Sequence, residues 1–122
     1  KDLLLAYGSM VLPALDAARA LESEGISLAV VDAKFAKPLD EEMILGYAGE
    51  GRTIVTAEEG VAAGGFGSAV RELLDARGLF CTRFFQIGLP IDPYPLGNTA
   101  QIKKALRLDA EGLAARLREF FA

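Results

Sequence analysis

Short apolar or β-branched runs at positions 2–6, 27–31, 53–57 and 82–87 predict strands, and the mostly β-branched or small run at 53–57 predicts burial on both faces. Helical stripes alternate with them. Val11, Ala14, Leu15, Ala18 and Leu21 fall on one face of a helix that must start just before Pro13, because proline is tolerated only in a first turn. Gly25 supplies its stop. Asp40 is the expected N-cap of a short helix carrying Met43, Ile44 and Tyr47, and Pro38 forbids helix at Lys37. Phe66, Val70, Leu73 and Leu74 stripe a helix over about 67–77, stopped by Gly78. Residues 88–97 are proline-rich and predict an irregular crossing. Asn98 or Thr99 then caps a helix with Ile102, Ala105 and Leu106, and Asp109 caps a last one facing inward with Leu113, Leu117, Phe120 and Phe121.

This alternation specifies one α/β domain over residues 1–122: three layers, a mainly parallel sheet and helices on both faces. Right-handed crossovers place all strand carboxyl ends on one edge. Gly8 and Ser9, Asp32 with Lys34, and Glu58 with Glu59 reach that edge, where open α/β sheets usually bind ligands. Ser9, Asp32, Lys34 and Glu58 are therefore candidates for a small-molecule crevice. Polar residues capping strands where they surface is the plainer reading, and the favoured one.

The stretch 53–70 organises the chain: strand, two glutamates, the glycines Gly64, Gly65 and Gly67, then helix. Glu58 and Glu59 are expected to end the strand, since unpaired carboxylates are costly to bury. Gly64-Gly-Phe-Gly67 is neither a Walker loop, lacking a following Lys-Ser or Lys-Thr, nor the dinucleotide fingerprint, lacking its third glycine. The upstream glutamates would repel a phosphate. A structural turn is favoured over an anion cradle.

Composition narrows the function further. The chain is 52% hydrophobic with a mean hydropathy of +0.28, a surplus that suggests a face docking onto another body. A net charge of −4 and a pI near 4.8 argue against nucleic acid or an anionic membrane as partner. No apolar run approaches the ~20 residues of a membrane span, and no signal peptide is visible. The missing initiator Met suggests a piece of a longer or processed chain. Cys81 is the only cysteine and is expected to be a small buried hydrophobe in a reduced, cytoplasmic protein. There is no histidine, which removes Ser-His-Asp and Cys-His catalysis and the common zinc sites together. Asp40, Glu41 and Glu42 fit a helix dipole, Lys103, Lys104 and Arg107 a solvated helix face, and Phe84, Phe85, Phe120 and Phe121 core or interface. No general acid, general base and nucleophile converge, so the domain is not a self-sufficient enzyme.

Five segments then resemble a known family in its order: Leu5-Ala-Tyr-Gly-Ser9; Val31-Asp-Ala-Lys-Phe-Ala-Lys-Pro-Leu-Asp-Glu-Glu42; Thr56-Ala-Glu-Glu59 with Gly64-Gly-Phe-Gly67; Ile87-Gly-Leu-Pro90; and Leu108-Asp-Ala-Glu-Gly-Leu113. Together they are similar to the third, C-terminal domain of the transketolase-like thiamine diphosphate enzymes, and in detail to the 1-deoxy-D-xylulose-5-phosphate synthase family. The resemblance implies an assembly domain. Its full chain would condense pyruvate with glyceraldehyde 3-phosphate, losing carbon dioxide. Thiamine diphosphate and Mg²⁺ would sit between the first two domains of a homodimer, whose catalytic and metal-binding residues lie upstream. The partners implied are the preceding domains and the second subunit. An equivalent domain of a transketolase, or of a 2-oxo-acid dehydrogenase β-subunit that docks on an acyltransferase core, is the alternative. A weak candidate crevice or interface comprises Gly8, Ser9, Asp32, Lys34, Lys37, Glu58, Glu59, Gly64, Gly65 and Gly67. Two departures stand out: Ile91-Asp-Pro-Tyr-Pro-Leu-Gly97, where the family has an acidic and aromatic stretch, and Lys in Lys34-Phe-Ala-Lys37, where Arg is common.

Overall fold

The computed structural model describes residues 2–34, 38–49, 51–79, 83–91 and 97–122. Lys37, Cys81 and half of the proline-rich crossing lie outside the described residues. The elements are β1 (Asp2–Ala6), a 3₁₀ turn (Gly8–Met10), α1 (Val11–Glu22), β2 (Leu28–Asp32), α2 (Glu41–Ala48), β3 (Ile54–Val61), α3 (Phe66–Ala76), β4 (Phe84–Leu89), α4 (Thr99–Ala105) and α5 (Ala110–Phe121). The four strands form one sheet in the order β2-β1-β3-β4, and every pairing is parallel. This is the expected α/β architecture.

Alternation along each strand divides the core into two layers. Leu4, Ala6, Val55, Ala57 and Ile87 pack with Ala14, Ala17 and Leu21 of α1 and Leu113 and Leu117 of α5. Leu3, Leu5, Val31 and Ile54 pack on the other face with Ile44 of α2 and Phe66, Val70 and Leu74 of α3. Leu3, Leu4 and Leu5 are each fully buried, so β1 is covered on both sides as its unbroken apolar run requires.

Local chemistry sets the helix boundaries. Pro13 is the third residue of α1, inside the first turn. Asp40, Asn98 and Asp109 each accept a backbone N–H from the first turn of α2, α4 and α5, and Asn98 with Gln101 completes a capping box. Gly25 and Gly78 close α1 and α3 in the left-handed conformation, where Ile26 N–H reaches Leu21 O and Leu79 N–H reaches Leu74 O. Arg107 closes α4 in the same way at φ +59, although it carries a Cβ.

Several expectations change. β3 does not stop before the glutamates but runs to Val61, and β4 runs past Ile87 to Leu89. Between these strands β3 takes four steps from Ala57 to Val61, while β4 takes two from Ile87 to Leu89, which makes a bulge at Glu58–Gly60. Ala17 replaces Leu15 in the core, because α1 meets α5 closely enough to favour a small side chain. Tyr47 is 45% exposed, and α2 buries Ile44 and Ala48 instead. The aromatics go to the layer margins: Phe85 stacks on Phe120 at 4.7 Å, Phe121 meets Phe120 edge-on at 5.1 Å, and Arg83 covers Phe120 at 3.8 Å.

Arg107→Gly removes left-handed crowding worth about 1 kcal/mol. It also removes an exposed ion pair with Glu119 worth a few tenths. Urea unfolding should show a net gain of about 0.5 kcal/mol.

Candidate functional site

The loop from β3 to α3 is built around one carboxylate. Glu58 is 3% exposed, and the strand alternation that turns Ile54 and Thr56 toward α3 turns it to the same face. Phe66 N–H donates to its Oε1 at 2.9 Å and Gly67 N–H to its Oε2 at 2.8 Å. These are the first two amides of α3, donors that a helix cannot satisfy internally, at the positive end of its dipole. The carboxylate is therefore buried with both oxygens paired, each charge-assisted bond contributing about 1.5–3 kcal/mol. That is why β3 continues through Glu58 where an unpaired acid would have ended it.

The glycines follow from this closeness. A Cβ on Gly65 would strike Glu58 Oε1 and Val61 O, and one on Gly67 would strike Thr56 Oγ1 and crowd Gln86 Nε2. Ser68 ties the turn together: its hydroxyl donates to Ala62 O at 3.2 Å and accepts from Gly64 N–H at 2.9 Å and Gln86 Nε2 at 3.1 Å. The Phe66 ring stacks on Tyr7 at 5.3 Å, which locks the start of α3 over the end of β1. The helix terminus that would otherwise cradle a phosphate is occupied by the chain's own carboxylate. A diphosphate would have to displace it, so the residues present do not fit that group.

Glu59 points to the opposite layer and meets different partners. Lys103 of α4 pairs with it, and Ser9 hydrogen-bonds to it. The bond from Lys103 first, then that from Ser9, holds its carboxyl below the ordinary 4.5 against the opposing effect of burial. A cavity of about 170 Å³ opens beside this pair, lined by Glu59, Leu89, Thr99, Ile102, Lys103 and Leu108. Its two charged side chains already satisfy each other. Among the described residues no group of three or more His, Cys, Asp or Glu is placed to hold a metal ion.

The other candidates lie apart. Asp32 ends β2 and accepts the backbone N–H of Lys34 at 2.9 Å; Lys34 itself is exposed at φ +61. The strand order puts β1 between them and the glutamates, roughly 10 Å across two strand spacings. Gly8 starts the 3₁₀ turn at φ +63. The structure thus joins Glu58 with Gly65 and Gly67, and Glu59 with Ser9, but not Asp32 or Lys34 with either. Sequence reasoning missed Lys103, because only the fold-back of α4 onto β3 reveals its partner. Gln86 and Ser68 carried no local signal either.

Two outcomes test this geometry. Glu58→Gln keeps the shape but sets an amide NH₂ against a helix N–H; it should lose about 2–4 kcal/mol in urea unfolding, and a loss under about 0.5 would contradict the account. The Glu59 contribution is present above about pH 4.5 and is lost as pH falls through its lower folded value. Its side chain is 43% exposed, so the effect is screened to about 0.5 kcal/mol. Glu59→Gln should be slightly less stable than the parent at about pH 6, and the gap should close as the pH is lowered progressively below 4.5.

The family model "Transketolase, C-terminal domain" matches residues 2–113. Among curated proteins, 1-deoxy-D-xylulose-5-phosphate synthase 2 of Geobacter sulfurreducens is 48% identical over 98% of this chain and 19% of its own length. The synthase of a Synechococcus species is 47% identical over 98% of the chain and 18% of its own length. Among solved structures, a split-gene transketolase in an inactive β4 tetramer superposes with a TM-score of 0.83 and 33% identity, covering 98% of this chain and 39% of that one. A transketolase mutant from Pichia stipitis gives a TM-score of 0.66 at 25% identity, covering 96% of this chain and 16% of that one. The chain thus spans about a fifth of the length of the curated relatives it matches.

Proposed function

Since the chain belongs to the family of transketolase C-terminal domains, we propose that it is the assembly domain of a 1-deoxy-D-xylulose-5-phosphate synthase. The full protein would condense pyruvate with glyceraldehyde 3-phosphate, releasing carbon dioxide, as a cytoplasmic homodimer. The observation that carries this reading is the likeness to the synthases, which covers 98% of this chain. Thiamine diphosphate supplies the carbon nucleophile for decarboxylation when bound, and we assign it and Mg²⁺ to the preceding domains. The residues described here are committed to structure: Glu58 to the amides of α3, Glu59 to Lys103 and Ser9, Asp32 to the backbone of its own turn. A chain without histidine also has no ordinary general base near neutrality. No described helix is long and apolar enough to cross a membrane, and the net charge of −4 does not suit nucleic acid.

The test is an activity comparison. The full-length protein and the 122-residue chain would each receive pyruvate, glyceraldehyde 3-phosphate, thiamine diphosphate and Mg²⁺, with sugar phosphate formation followed. Product from the full-length protein alone is expected. No product from the full-length protein would overturn the synthase reading, and product from the 122-residue chain would overturn the assembly role.

A further inference from the structure

Four large apolar side chains are exposed among the described residues: Leu12 at 73%, Tyr47 at 45%, Val61 at 41% and Ile91 at 77%. Three of them share one edge of the sheet. Leu12 is the second residue of α1, which leaves the carboxyl end of β1 through the 3₁₀ turn. Val61 is the last residue of β3, and Ile91 lies two residues beyond the end of β4. Val61 is in register with Leu89, and Ala62 N–H donates to Leu89 O at 3.0 Å, so the Val61 and Ile91 segments run side by side. Ser9, three residues before Leu12, bonds to Glu59, two residues before Val61. The three side chains therefore follow one another across the ends of β1, β3 and β4.

We propose that this carboxyl edge, at Leu12, Val61 and Ile91, is the docking face for the preceding domains of the same full-length chain. The inference rests on the assembly reading above and adds which face is used. An apolar set gathered on one edge is the mark of an interaction surface, whereas scattered apolar residues are ordinary. Along this edge Glu59 is paired with Lys103, Asp32 accepts a backbone N–H and Lys34 is an exposed cation, so the apolar set rather than a cluster of charge is what the edge presents to a protein surface. The opposite edge is polar: Asp2 accepts Thr53 N–H at 3.1 Å, and Ser27 and Arg83 are exposed. The occupant follows from length, because the curated relatives carry four-fifths of their chain outside the matched segment. Such a body would also cover the edge on which a ligand crevice was expected.

The test uses the full-length protein with its native cysteines replaced and one new cysteine at a time: Leu12→Cys, Val61→Cys, Ile91→Cys, or the control Tyr47→Cys on α2. Exposure within this domain ranks Leu12 and Ile91 above Tyr47. Docking should invert that order, with the three edge cysteines reacting with a thiol reagent at least about tenfold more slowly than the control, and equally fast in urea. Edge rates equal to or above the control overturn the proposal. So does protection that disappears when dilution dissociates the oligomer, since the partner subunit would then be the cover. Labelling needs no turnover, so an inverted order in a protein without synthase activity sinks the activity and keeps the face.

Discussion

The pairing of the Glu58 carboxylate with the first two amides of α3 is the constraint on which the rest of the domain depends. A strand cannot carry a charge into a core without donors, and a helix cannot begin against a sheet without acceptors. Each need here answers the other, at 2.8 and 2.9 Å. Alternation along β3 turns Glu58 toward α3 and Glu59 toward α4, so two adjacent acids hold helices on opposite layers. Gly65 and Gly67 let the α3 backbone reach the carboxylate, and Ser68 and Gln86 tie that turn to β4.

Much of this was legible in the sequence because it is local. The triple-leucine run of β1, the Asp40 cap of α2, the apolar stripe of α3 and the Asp109 start of α5 depend on residues within a turn or two of each other. The alternation of these elements was enough for the sheet and its layers. What was not legible depends on distant partners. A burial cost assigned to Glu58 alone predicts the end of β3, yet its donors lie eight and nine residues on, across a turn whose conformation is not encoded in the apolar pattern. Lys103 looked like a solvated cation until α4 folded over β3. Leu15 and Ala17 are both consistent with an inward face of α1, and the close approach of α5 selects the alanine. Of the candidate groups, the alternation of elements placed them on the carboxyl edge but could not say which of them meet.

The carboxylates Glu58, Glu59 and Asp32 of that edge are engaged within the fold, and three large apolar side chains stand exposed beside them. That combination suits a module that binds other parts of a protein better than one that binds a small anion. It also explains how a domain can keep a strand, glycine turn and helix of the kind used for phosphates without the corresponding chemistry: the ligand is built into the chain.

The central claim is that the α3 terminus is already filled, and amide NMR of Phe66 and Gly67 tests it most directly. Inorganic diphosphate added to millimolar excess should leave both resonances unmoved, with both amides slow to exchange in the free protein. A saturable shift of the two amides, or their rapid exchange without ligand, would contradict the account.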